Sequence, residues 1–240
     1  MPGDTLRQAI TLSIGPYNEN RRDAADSPLA YAGTGFGERL DYVRVRANRR
    51  WYFSLDAGTA TVQPVQFARQ AGSEEGFGAY TLGAGTDWTL RGRSAHAGEF
   101  ALGVQFTGAL TVTRHLYQSQ TLTEQTFDLA TLSLAPAGRW TRQLGDGVLT
   151  ASLALPLIAW VDHPYADVRY ANQFVDFRFT PVTKFRQADG VLSYDFSPAT
   201  RYTFAMTYRV DAMELDDSQP VRRFSQSLTF ALVRRLGPLP

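Results

Sequence analysis

From Phe100 to Thr113 the chain alternates with a period of two. Phe100, Leu102, Val104, Phe106, Leu110 and Val112 hold even positions; Ala101, Gly103, Gln105, Thr107, Ala109, Thr111 and Thr113 hold odd ones. In extended backbone these two sets lie on opposite faces. Strands of globular proteins commonly run about five or six residues, and this run is more than twice that. The pattern recurs over 202–210 and 224–236, and more briefly over 6–14, 51–57 and 149–157. Aromatics make up 12% of the chain, and its 20 Gly and 12 Pro suit strands and turns rather than long helices.

The connections alternate in length. Sharp reversals are expected at Asn48-Arg49-Arg50, Ala95-His96-Ala97-Gly98, Gly145-Asp146-Gly147 and Ser197-Pro198-Ala199-Thr200, spaced about fifty residues apart. Between them lie longer polar segments over 17–37, 64–79, 116–125, 161–183 and 214–220. Each fifty-residue unit therefore reads as strand, long loop, strand, tight turn. The implied strands are 5–16, 38–48, 50–63, 80–95, 98–114, 125–144, 148–160, 184–196, 201–213 and 222–236. Two places leave alternatives. In 125–144, Phe127 and Leu129 are odd while Leu132, Leu134 and Trp140 are even, which predicts a bulge near Thr131. Phe174, Phe177 and Phe179 could add a strand pair and raise ten strands to twelve.

Which way the apolar face points decides between a soluble β-protein and a membrane barrel. The opposite face holds Arg44, Arg46, Asp56, Asp87, Arg91, Arg93, Glu99, Arg209, Asp211, Arg223 and Arg235. Such charges are tolerable beside water or in mutual pairs, not in a dry core. The apolar face then belongs to lipid and the charged face to a lumen. Trp51, Phe100 and Tyr202 near the tight turns, and Tyr80, Tyr117, Trp160 and Tyr208 toward the long loops, read as two aromatic girdles. The expected fold is one all-β domain over 1–240: an antiparallel transmembrane β-barrel of ten strands, alternatively twelve, with short periplasmic turns and long extracellular loops. The apolar run 153–161 is too short for a spanning helix. Met1-Pro2-Gly3-Asp4 has neither the basic start nor the apolar stretch of a secretory signal.

On these residues the chain resembles the bacterial outer-membrane β-barrel proteins as a class, over nearly its whole length. The last strand, Arg223 to Leu236, resembles the C-terminal assembly signal of such proteins, but ends in Leu236 followed by Gly237-Pro238-Leu239-Pro240 where a terminal aromatic is common. The resemblance implies residence in the bacterial outer membrane, lipids and lipopolysaccharide as neighbours, and the barrel-insertion machinery as a partner during assembly. The class also includes ten-stranded aspartate/histidine proteases and Ser/His lipid-acyl hydrolases. Asp162-His163 are sequence neighbours in a Pro-containing segment, and His115 and Ser119 lie roughly 13 Å apart along a strand, so neither spacing builds a catalytic set.

Other classes fall away by composition. The absence of Cys removes disulfides, thiolate metal sites and thiol nucleophiles. A net charge of +1 from 24 basic and 23 acidic residues gives no reason to expect nucleic acid. Three scattered histidines make no metal set, and Gly33-Thr34-Gly35-Phe36-Gly37 and Gly83-Ala84-Gly85 precede no helix, so no cofactor is expected. Mixed charges within a narrow barrel predict pairing: Arg44 and Arg46 with Asp56, Asp87 and Glu99 with Arg91 and Arg93, and Arg209 and Asp211 near Arg223. The first and last strands should close the ring, with Ala9, Thr11 and Ser13 beside Ser225, Ser227 and Thr229 along any water path. The function that follows is non-enzymatic: a structural or anchoring barrel, or a narrow pore. A rim hydrolase and a binding platform on loops 17–37, 64–79 and 161–183 are the alternatives.

Overall fold

The computed structural model describes residues 7–23, 29–65, 75–90, 98–115, 124–163, 177–196, 200–216 and 220–236. These residues build twelve strands: β1 (Arg7–Asp23), β2 (Ala30–Arg46), β3 (Arg49–Pro64), β4 (Glu75–Leu90), β5 (Glu99–His115), β6 (Glu124–Leu144), β7 (Gly147–Ala154), β8 (Ile158–Asp162), β9 (Arg178–Pro181), β10 (Phe185–Asp195), β11 (Tyr202–Leu215) and β12 (Val221–Leu236). All pairings are antiparallel. Ten strands close a ring in the order β1 to β7, then β10, β11 and β12, with β12 returning to β1. β8 and β9 form a ribbon on the loop-side half of β6 and take no part in closing the ring.

The ribbon exists because β7 is interrupted. Pro156 has no N–H for the ladder. Leu155 and Leu157 on either side still donate to the carbonyls of Pro136 and Leu134. The chain then resumes as β8 against Ala130–Leu134, displaced by one residue from the β6–β7 register.

The stagger of the ring follows from the registers. A perpendicular path from Thr131 on β6 passes Ala109, Thr81, Asp56, Arg39, Ser13, Ala231, Ala205, Asp195 and Val148. It returns to β6 at Gln143, twelve residues from its start. With ten strands this stagger sets a tilt of about 40° and a backbone diameter of about 20 Å.

The side chains sort by parity. Leu12, Phe36, Leu55, Leu102, Phe204 and Phe230 are all exposed, Phe204 at 69%, whereas Ser13, Ser54, Thr107, Thr203 and Ala231 between them are buried. This is the reverse of a soluble protein, and it identifies the outside as the lipid face. Along β5 the outward set from Phe100 to Leu110 spans about 25 Å of depth, the height of an outer-membrane apolar band. Trp88, Phe100 and Tyr202 mark its tight-turn edge, and Tyr80 and Trp160 its upper part.

Several boundaries differ from the sequence reading. The segment 17–37 is mostly strand, because Tyr17 and Tyr31 pack inside and Gly33 and Gly35 approach the β3 backbone too closely for any side chain. The bulge in β6 lies at position 128, between Leu129 paired with Thr111 and Phe127 paired with Val112, not at Thr131. Phe177 and Phe179 belong to the added ribbon and its approach, so twelve elements still make a ten-stranded ring. Across the closing seam, Ala9 faces Arg235 and Ser13 faces Ala231, while Ser225 and Ser227 face Glu19 and Tyr17. The small-residue patch expected there is therefore split between two heights.

Candidate functional site

Every lumen side chain comes from the inward parity of a long strand, so successive inward positions stack as layers along the barrel axis. At the tight-turn rim Arg235 pairs with Asp195 and donates to the Thr200 carbonyl at 2.7 Å. Farther in, the buried carboxylate of Asp87 accepts from Arg50 at 2.9 Å and from two nitrogens of Arg139 at 2.8 and 3.2 Å. Arg139 also donates to Thr141, and the Tyr52 hydroxyl donates to Gln105.

The next layer crosses the barrel. Arg209 on β11 grips Asp189 on β10 through two parallel bonds of 2.9 and 3.0 Å. Its remaining nitrogen reaches Asp56 on β3, on the far side of β12, β1 and β2. Arg39 completes the belt from β2, donating to Asp41 at 2.8 and 2.9 Å and to Asp56 at 3.1 Å. Asp189 thus holds Arg209 in forked geometry, the strongest arrangement such groups form, while Arg39 shares its Nε–H between both Asp41 oxygens. No charge in the belt lacks an opposite partner, which is what makes it tolerable in an enclosed space.

Beyond the belt, Gln187 donates to Asp211 at 2.8 Å. Arg223 donates to Glu19 and to the Tyr17 hydroxyl, each at 3.1 Å, and Tyr17 donates in turn to Glu19. Tyr17 reaches this position because residue 58 is glycine; a Cβ there would lie 2.8 Å from the Tyr17 ring. Arg21 pairs with Glu75 at 3.3 Å, with the Tyr31 and Phe77 rings nearby. Two apolar clusters fill the remaining loop-side lumen. One contains Tyr17, Tyr31, Ala60, Val62, Phe77 and Ala79; the other contains Leu129, Ala159, Val161, Phe185, Met213, Leu215 and Val221.

The tight-turn half is different. A cavity of about 410 Å³ runs from the Arg39–Arg209 belt to the Arg235–Asp195 rim, lined by Thr11, Ser13, Ser54, Thr107, Thr150 and Ser152 among others. On the loop side of the belt, among the described residues, a cavity of about 30 Å³ lies between Asp56, Arg209, Asp211 and Arg223. Among the described residues, a polar vestibule on the tight-turn side gives way to a packed loop-side half.

Of the residues expected in the lumen, Asp56, Asp87, Arg209, Asp211, Arg223 and Arg235 face inward and take part in these layers. Glu99 has lumen parity and lies exposed at the start of β5. Arg91 and Arg93 lie outside the described residues; among the described residues Asp87 is held by Arg50 and Arg139. Arg44 and Arg46 are a correction: both are exposed on the outward parity of Leu40 and Tyr42, while Arg39 and Asp41 point inward. Val43 and Val45 alternate with the two arginines and have the inward parity of β2. At this end the outward face has left the hydrocarbon, so arginine suits it and valine can turn in.

Several lumen groups escaped the sequence reading. Glu19, Arg21 and Glu75 sat in stretches read as loop, Arg50 in a turn, and Arg139 after the phase change in β6. Arg39 and Asp41 had an available signal, since Leu40 and Tyr42 fix the outward parity of β2, and so had Asp189 and Asp195, since Leu192 and Phe196 do the same for β10. Among the rim candidates, Asp162 is buried and His163 half-buried at the end of β8. His115 ends β5, but its side chain, His96 and Ser119 lie outside the described residues.

This architecture has known counterparts. The outer-membrane protease OmpT from Escherichia coli superposes with a TM-score of 0.54 at 8% identity, covering 98% of each chain. The fold is that of the bacterial outer-membrane β-barrels. The translocator domain of the autotransporter NalP from Neisseria meningitidis gives a TM-score of 0.49 at 9% identity over 98% of this chain and 89% of that one. The toluene transporter TodX from Pseudomonas putida gives 0.36 at 8% identity over 99% and 91%. At such identities the likeness is one of fold. No protein-family model matches the chain, and no curated protein matches it by sequence.

Proposed function

We propose that the chain is a non-enzymatic barrel of the bacterial outer membrane whose lumen is closed, acting as a structural or anchoring component rather than as an open pore. The observation that carries this reading is Arg209, which ties Asp189 on its own side of the barrel to Asp56 across it. Each of its bonds is charge-assisted, and none leaves room for a solute. The packed Phe185 and Phe77 clusters beyond it form a second seal. The band of outward Leu and Phe and the long-loop/short-turn asymmetry favour the outer membrane, with the tight turns toward the periplasm.

Planar-bilayer recording tests the reading. The wild-type protein should give no steady conductance, and Arg209→Ala together with Phe185→Ala should give a measurable one. A steady anion-selective current through the wild type removes the closed-lumen reading and leaves the narrow pore.

A further inference from the structure

The arginines outside the barrel have different company from those inside. Arg44, Arg49 and Arg234 lie on the outward parity of β2, β3 and β12, at the tight-turn end. Arg44 stands over the Trp51 ring at 5.9 Å; Arg49 stands over Trp51 at 4.8 Å and Trp88 at 5.1 Å and donates to the Thr86 hydroxyl; Arg234 stands over Tyr202 at 5.9 Å. Among the described residues no carboxylate pairs with any of the three. The lumen arginines 39, 50, 139, 209, 223 and 235, by contrast, each hold at least one.

We propose that Arg44, Arg49 and Arg234 form a docking surface for the phosphates of anionic phospholipids in the periplasmic leaflet. The inference rests on the membrane placement above and is independent of whether the lumen is closed.

Depth is the first argument. Arg44 follows Leu40 and Tyr42 along the outward face of β2, and Arg234 follows Phe230 and Leu232 along β12. The three guanidiniums therefore sit one step beyond the apolar band, where headgroup phosphates lie. Position is the second. Arg234 pairs in register with Ile10, Gln8 with Arg44, and Arg44 with Trp51, so the three residues lie on β12, β2 and β3, with β1 between the first two. From β12 to β3 is about 14 Å, a contiguous patch and not a ring. Chemistry is the third. A guanidinium presents a planar fork to two phosphate oxygens, and stacking on an indole or phenol fixes its plane before the lipid arrives. The aromatic rings meanwhile cover the adjacent glycerol and upper acyl region, as interfacial Trp and Tyr do.

Electron paramagnetic resonance of spin-labelled lipids around the whole folded barrel in phosphatidylcholine membranes tests this. Labelled phosphatidylglycerol should associate roughly fivefold or more in preference to labelled phosphatidylcholine, and the preference should fall as salt rises. Combining Arg44→Gln, Arg49→Gln and Arg234→Gln should abolish it. Arg222→Gln, on the loop side where Arg222 pairs with Glu214 at 2.9 Å, should not. The heat-dependent gel shift reports whether each variant folds. If the triple variant does not, Arg44→Gln and Arg49→Gln singly should each lower the preference about twofold. Equal association of the two lipids with the wild type, or a preference that survives these substitutions, overturns the proposal.

Discussion

The two halves of the lumen use the same strands and solve different problems. On the loop side, inward positions carry Tyr17, Val62, Phe77, Phe185 and Leu215, and the space is filled as in a soluble core. On the tight-turn side the same parity carries Ser, Thr and Ala between the Arg50–Asp87–Arg139 and Arg235–Asp195 sets, and a cavity of about 410 Å³ remains. The Arg39–Asp56–Arg209–Asp189 belt separates them. A barrel of this diameter does not have to be open or closed along its whole length; the size of the inward side chains decides it layer by layer.

The belt is where the contrast breaks most easily. Arg209→Ala leaves Asp189 and Asp56 without their main cation in an enclosed layer. Removing one member of such a set costs about 3–5 kcal/mol. The urea midpoint of the heat-modifiable gel band should fall accordingly, and a change below about 1 kcal/mol would mean that water already solvates the belt. Next comes the loop-side packing. Phe185 is fully buried, and Phe185→Ala should cost about 3 kcal/mol or more by the cavity it leaves. Ser152→Ala, in the vestibule wall, should stay within about 0.5 kcal/mol. Equal effects at the two sites would erase the distinction. The gentlest test uses the absence of native cysteine. Ser152→Cys should react readily with a small water-soluble maleimide in the folded barrel, and Val62→Cys should resist until the protein unfolds, as mass spectrometry can follow.

The barrel and its strand count were legible because alternation over long strands is a backbone property that each segment carries alone. Leu102 to Leu110 needs no partner to declare its face. The lumen layers were less legible because they depend on strand length and register, which are properties of pairs. Glu19 and Arg21 looked like loop since both faces of β1 turn polar once it rises above the lipid. Arg44 and Arg46 alternate with Val43 and Val45, so the local pattern of β2 at this end imitates a lipid-facing valine stripe. The Arg209–Asp56 contact joins strands on opposite walls, and no local pattern announces it. The seam was misjudged for the same reason: which residue of β1 meets which of β12 follows from the accumulated stagger around the ring.

That seam has a kinetic consequence. β1 and β12, the strands farthest apart in the sequence, are paired from Gln8–Leu236 to Asp23–Val221. Contacts of such sequence separation carry the greatest loop-closure entropy and form late. Until β12 arrives, Glu19 has no Arg223, and the outward Leu and Phe have no continuous wall behind them. The unfinished chain therefore presents sticky strand edges and has to be held apart from its own kind. A chain cut before Val221 would lose one strand in ten from the ring yet have no route to closure at all. The sixteen residues of β12 thus complete the ring for the whole barrel.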